Sequence, residues 1–131
     1  GATRFALFQC NGDNNLDVET DDNVIDLGPK DTGLSVAATR WTKVGMYFRE
    51  GVLTQSAPSL SKGNFYDVKF RAENAKGLYQ LVCPQTAFNL SGFVGNNLQF
   101  LAQIQKTSGT STGTLSIGRI RYAYELGDYA A

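Results

Sequence analysis

Short runs that alternate apolar and polar residues recur along the whole chain, and no window longer than two turns keeps a helical period. Period two is the pattern of a half-buried β-strand, because successive side chains point to opposite faces. The spacing predicts strands over Arg4–Cys10, Asn23–Leu27, Leu34–Thr39, Thr42–Phe48, Phe65–Ala72, Leu78–Cys83, Leu98–Gln105, Thr114–Ile117 and Arg119–Leu126. Between them stand NGDNN, GPKDTG, REG, SKGN, NAKG, GNN and SGTSTG, where Gly sits beside residues that favour turns. The clearest hairpin is FYDVKFRAENAKGLYQLVC, with Tyr66, Val68 and Phe70 on one face, Phe65, Asp67, Lys69 and Arg71 on the other, and ENAKG as its turn. Short strands at this spacing imply an all-β fold, an antiparallel β-sandwich of jelly-roll-like kind.

A chain of 131 residues with 42% hydrophobic content suits a single domain spanning 1–131 with one core. Twelve Lys and Arg balance twelve Asp and Glu. That balance gives no excess of basic charge for nucleic acid, and the cations are dispersed along the sequence. No apolar run approaches the roughly 20 residues that cross a bilayer, so neither nucleic acid nor membrane is expected as a partner. Two cysteines, Cys10 and Cys83, are too few for a disulfide scaffold and fit no zinc spacing. They are expected as buried thiols, with a single bridge between them as the alternative.

The sequence contains no histidine. Ser-His-Asp and Cys-His nucleophilic catalysis and imidazole metal sites are thereby excluded. A two-carboxylate glycosidase mechanism would need paired acids, and nothing in the spacing of Glu50, Asp67, Glu73 and Glu125 pairs them. The chain is therefore read as non-enzymatic, with no catalytic residues. The acidic run NGDNNLDVETDDNVIDLG is read as a solvated loop whose oxygen donors suit calcium, the one metal expected, with Asp13, Asp17, Asp21 and Asp22 as candidate ligands. The Gly and terminal Glu of an EF-hand are missing from their places. Trp41 and Tyr47 are the candidate ligand or receptor contacts. A lone Trp in an alternating run is more often core, whereas a lectin would expose it against a sugar face.

The closing run GTLSIGRIRYAYEL, with Gly118, Ile120, Tyr122, Tyr124, Glu125 and Leu126, resembles the final strand of the jelly-roll coat proteins of small icosahedral RNA viruses of the tombusvirus and nodavirus type. The likeness covers little more than a tenth of the chain. Such coat proteins usually carry a basic amino-terminal arm, which this sequence lacks, and their shell domains tend to be longer. Both departures fit a domain excised from a longer protein, read as the protruding domain of the virion surface. The resemblance implies a structural capsid domain that forms homodimers, meets other capsid subunits and contacts a host receptor or glycan. It would do so through the loops Asn11–Asp22, Gln55–Gly63 and Ser108–Gly113. The alternative is a carbohydrate-binding module or lectin, which shares the sandwich and its polar loops.

Overall fold

The computed structural model describes residues 3–50, 65–90, 98–105, 108–110 and 112–122. The chain divides into two compact units, Gly1–Asn96 and Asn97–Ala131. Among the described residues seven strands occur, all in the first: β1 Phe5–Gln9, β2 Asn15–Asp21, β3 Asp26–Ser35, β4 Val44–Glu50, β5 Phe65–Glu73, β6 Tyr79–Val82 and β7 Phe88–Asn89. No helix occurs among the described residues, so the all-β expectation holds.

The strands form two antiparallel sheets. One is the meander β1-β2-β3; the other is β4-β5-β6, with β7 pairing β5 beyond the end of β6. In the first sheet Leu16, Val18 and Thr20 of β2 are buried, while Asp17, Glu19 and Asp21 alternate with them on the outer face. In the second, Val68, Phe70 and Ala72 of β5 are buried between exposed Lys69 and Arg71. These inward rows, with Val82, Phe88 and Leu90, make one hydrophobic cluster that draws on both sheets. Phe70 is its centre, meeting Phe8 edge-on at 5.2 Å and Phe88 at 4.9 Å between ring centroids.

The β5–β6 hairpin forms as its sequence predicts. Asn74 Oδ1 accepts hydrogen bonds from the backbone N–H groups of Lys76 and Leu78, and Gly77 takes a φ of 84° that a side chain would resist.

Five sequence expectations are corrected. The acidic run is not a loop: its middle is β2, the central strand of its sheet, because Leu16, Val18 and Thr20 have a core to enter. The segment GPKDTG is not a turn but part of β3, which absorbs its turn-forming residues as bulges on a sheet edge, where Pro29 removes no ladder bond the sheet needs. Residues 23–25 precede β3, with Asn23 at φ 68°.

The predicted strands over 98–105 and 114–117, and the described part of 119–126, are not strands. They take up no ladder, and their alternation alone cannot supply the neighbour that strand hydrogen bonding requires. Finally, the cysteines are free and not buried thiols: Cys10 lies exposed past the end of β1, and Cys83 is half-buried just past β6. Tyr124, Glu125 and Leu126, the loop at 55–63, and the side chains of Glu50 and Asp67 lie outside the described residues.

Candidate functional site

The four proposed calcium ligands are not brought together. Alternation along β2 puts Asp17 and Asp21 on the outer face, four residues and so about 13 Å apart. Asp22, the next residue, turns inward and is fully buried. Its Oδ1 accepts the N–H groups of Val24 and Ile25 at 2.9 and 2.6 Å, which fixes the β2–β3 turn. Asp21 Oδ1 accepts the N–H of Asn23 at 2.7 Å, and Asp13 Oδ1 that of Asn15 at 3.0 Å. These carboxylates hold their own turns. Among the described residues no group of three or more Asp, Glu or Cys side chains is placed to hold an ion.

The loop expected at residues 11–22 shrinks accordingly to a short turn before β2. Of the loop at 108–113, the described residues are exposed.

Trp41 lies in the β3–β4 connection, ahead of the first residue of β4, and is 67% exposed, not core. Tyr47, on the outer face of β4, is 49% exposed. Both candidate contacts are therefore accessible. Glu73 lies at the end of β5, opposite Tyr79.

Two surfaces stand out that the linear sequence conceals. The outer face of the first sheet carries Asp17, Glu19, Asp21, Asp26 and Asp31, with Asp17 directly across from Asp31 and Asp21 across from Asp26. Like charges directly opposite on a sheet repel. Glu19 is engaged by Gln9, whose Nε2 donates to Oε2 at 2.6 Å.

The outer face of the second sheet is cationic and aromatic. Lys69 lies across from Tyr47, Arg71 across from Gly45, and Tyr79 stands opposite Glu73. The Tyr79 ring reaches the space above Gly45, in contact distance of where a Cβ there would be, so only glycine lets the ring lie across the strands. Lys43 Nζ sits 4.4 Å from the centre of that ring, a cation–π contact.

A third feature is apolar. Val44 and Met46 face the same side as buried Ala72 and Phe70, their cross-strand partners, yet are 45% and 36% exposed. The core side of this sheet is thus open at its β4 edge. In the second unit, Leu98, Phe100, Leu101, Ile104, Leu115, Ile117, Ile120 and Tyr122 are all exposed, Tyr122 at 84%. Leu98, Phe100, Ala102 and Ile104 alternate with Gln99, Gln103 and Gln105, apart from Leu101. Ile104 packs close over Gly113, bringing the two stretches together there.

The thiols sit beside this acidic sheet. Partial burial, then the carboxylates of Asp13 and Asp17, push the Cys10 thiol up; burial and Asp31 do the same for Cys83, against the opposing pull of Lys30. A raised thiol pKa means less thiolate at any given pH. At about pH 8 both cysteines are expected to alkylate with iodoacetamide several-fold more slowly than in the urea-unfolded chain, the gap closing as pH rises further. Mass spectrometry of quenched time points measures this; equal rates in the folded and unfolded chain would contradict it.

Compared with protein-family models, curated proteins and solved structures, the chain matches none.

Proposed function

We propose that this chain is a non-enzymatic structural domain of the viral-coat kind: a β-sandwich of jelly-roll type, a protruding domain that self-associates on a virion surface and contacts a host receptor. One observation carries the reading. Residues 98–105 and 112–122 hold strand-like alternation and a row of exposed apolar side chains, but no strand, while β4 leaves the core side of its sheet open. Large exposed apolar surface on a folded chain points to an interaction site. A second copy, pairing extended segments and covering those side chains, satisfies both the backbone and the apolar rows.

The test is sedimentation equilibrium of the full chain in about 0.5 M NaCl, where apolar contacts persist and charge contacts are screened. A concentration-dependent dimer or larger species is expected. Burying an apolar side chain contributes about 1.5–3 kcal/mol, so Phe100→Ser with Ile104→Ser should weaken association about 100-fold or more. A strict monomer at every concentration, or association untouched by the double variant, sinks the reading.

The exposure of Trp41 favours a second reading, a carbohydrate-binding module, since a lectin would expose such a residue against a sugar face. A glycan that shifts Trp41 fluorescence, and whose binding is lost in Trp41→Ala, would support it.

A further inference from the structure

We infer that the outer faces of the two sheets are the two halves of a contact between copies of this chain, the acidic face of one copy docking on the cationic, aromatic face of the next. The inference rests on the self-association reading and names a surface through which copies meet.

The net charge of zero conceals the separation. Alternation in β2 and the β2–β3 register collect Asp17, Glu19, Asp21, Asp26 and Asp31 on one outer face. Alternation in β5 and the backbone pairing of Lys43 with Glu73 collect Lys43, Lys69 and Arg71 on the other, with Glu73 as the acid among these described side chains. The two faces complement each other beyond charge. Phe5 and Leu7, across from Asp21 and Glu19, add apolar surface to the acidic face, and Tyr47, Tyr79 and Leu81 add it to the cationic one. Facing carboxylates on β2 and β3 repel one another until a cation is brought near, so docking relieves a cost already present in the free subunit.

Because two different faces meet, the contact is heterologous. Such a contact builds rings or open chains, not a closed two-fold dimer. It is distinct in both chemistry and symmetry from the apolar pairing proposed for the second unit.

The experiment uses two full-length charge-reversal variants, Asp17→Lys with Glu19→Lys and Asp26→Lys, and Lys69→Glu with Arg71→Glu, each checked for native far-ultraviolet circular dichroism. Light scattering of the wild type in about 0.05 M NaCl is expected to show species beyond a dimer. Their association should weaken about 10-fold or more on raising the salt to about 0.5 M, as screening shortens the reach of charge. Each variant alone presents two faces of like sign and should lose this association.

An equimolar mixture of the two variants restores opposite faces and should regain it. Wild-type association that ignores salt and both reversals, or a mixture that stays dissociated, overturns the contact while leaving assembly at high salt untouched. Retention of a monomeric wild type on an anionic glycan resin, abolished by Lys69→Glu with Arg71→Glu, would likewise overturn it by assigning the cationic face to a glycan. Assembly at high salt can fail independently, so the two ideas fall separately.

Discussion

Phe70→Ala is expected to lower the unfolding free energy by about 3–5 kcal/mol, the range for truncating a buried aromatic. Phe70 is fully buried on the central strand of its sheet, and its ring is the point at which both sheets converge. Phe8 reaches it from β1 with an interplanar angle of 86°, and Phe88 from β7 at 76°. Truncation removes two edge-to-face pairs of about 0.5–1.5 kcal/mol each in addition to the transferred surface. It also leaves a cavity that two hydrogen-bonded sheets cannot easily close. Domains of this kind have total stabilities of about 5–15 kcal/mol, so the variant should lie near the folding threshold. Urea unfolding should show a lower midpoint with an unchanged slope. Leu78→Ala, at a site 58% exposed, serves as the control and should cost under about 0.5 kcal/mol. A Phe70→Ala cost below about 1 kcal/mol would mean that the sheets do not share this core.

The β4, β5 and β6 region was legible because three signals agreed there: alternation, β-branched and aromatic residues, and a turn whose Asn74 and Gly77 each have a physical role. In the first sheet the signals conflicted. Six acidic residues between Asp13 and Asp26 suggested a loop, and they masked the buried row Leu16, Val18, Thr20 that makes β2 a strand. Pro29 and Gly33 likewise suggested a turn, and only the pairing with β2 shows a bulged edge. The closing run failed in the opposite sense. Its alternation is real, but alternation states what a segment can pair as, and the partner is a property of the assembled sheet.

The candidate sites divide along the same line. Asp17 and Asp21 look like neighbours of Asp22 in the sequence, but a strand sends adjacent side chains to opposite faces, so the set splits. Lys43, Lys69 and Arg71 looked dispersed because more than twenty residues separate the first from the others, and pairing of β4 with β5 gathers them. The missed signal was available in principle: once Phe65–Ala72 and Thr42–Phe48 are taken as neighbours, their outward residues must share a face.

Asp22 carries the second large expectation. It is a fully buried carboxylate at the end of β2, where the chain must turn sharply into β3 through Asn23 in the left-handed region. Its Oδ1 takes two backbone N–H groups, and its own N–H donates to the carbonyl of Ile25 at 3.3 Å. Hydrogen bonds to a charged acceptor contribute about 1.5–3 kcal/mol each. Asp22→Ala should therefore cost about 3–6 kcal/mol, since the alanine keeps the backbone bond and loses the side-chain ones to Val24 and Ile25. Asp22→Asn retains an oxygen acceptor in the same place and should cost less than half as much.

Thermal unfolding of both variants, with and without added calcium, separates turn-holding from metal binding. A turn-holding carboxylate predicts graded losses that calcium does not alter, because Oδ1 is already engaged by the N–H groups of Val24 and Ile25. A calcium-dependent rise in the wild-type melting temperature that Asp22→Asn abolishes would instead make Asp22 a ligand and overturn its assignment to the turn.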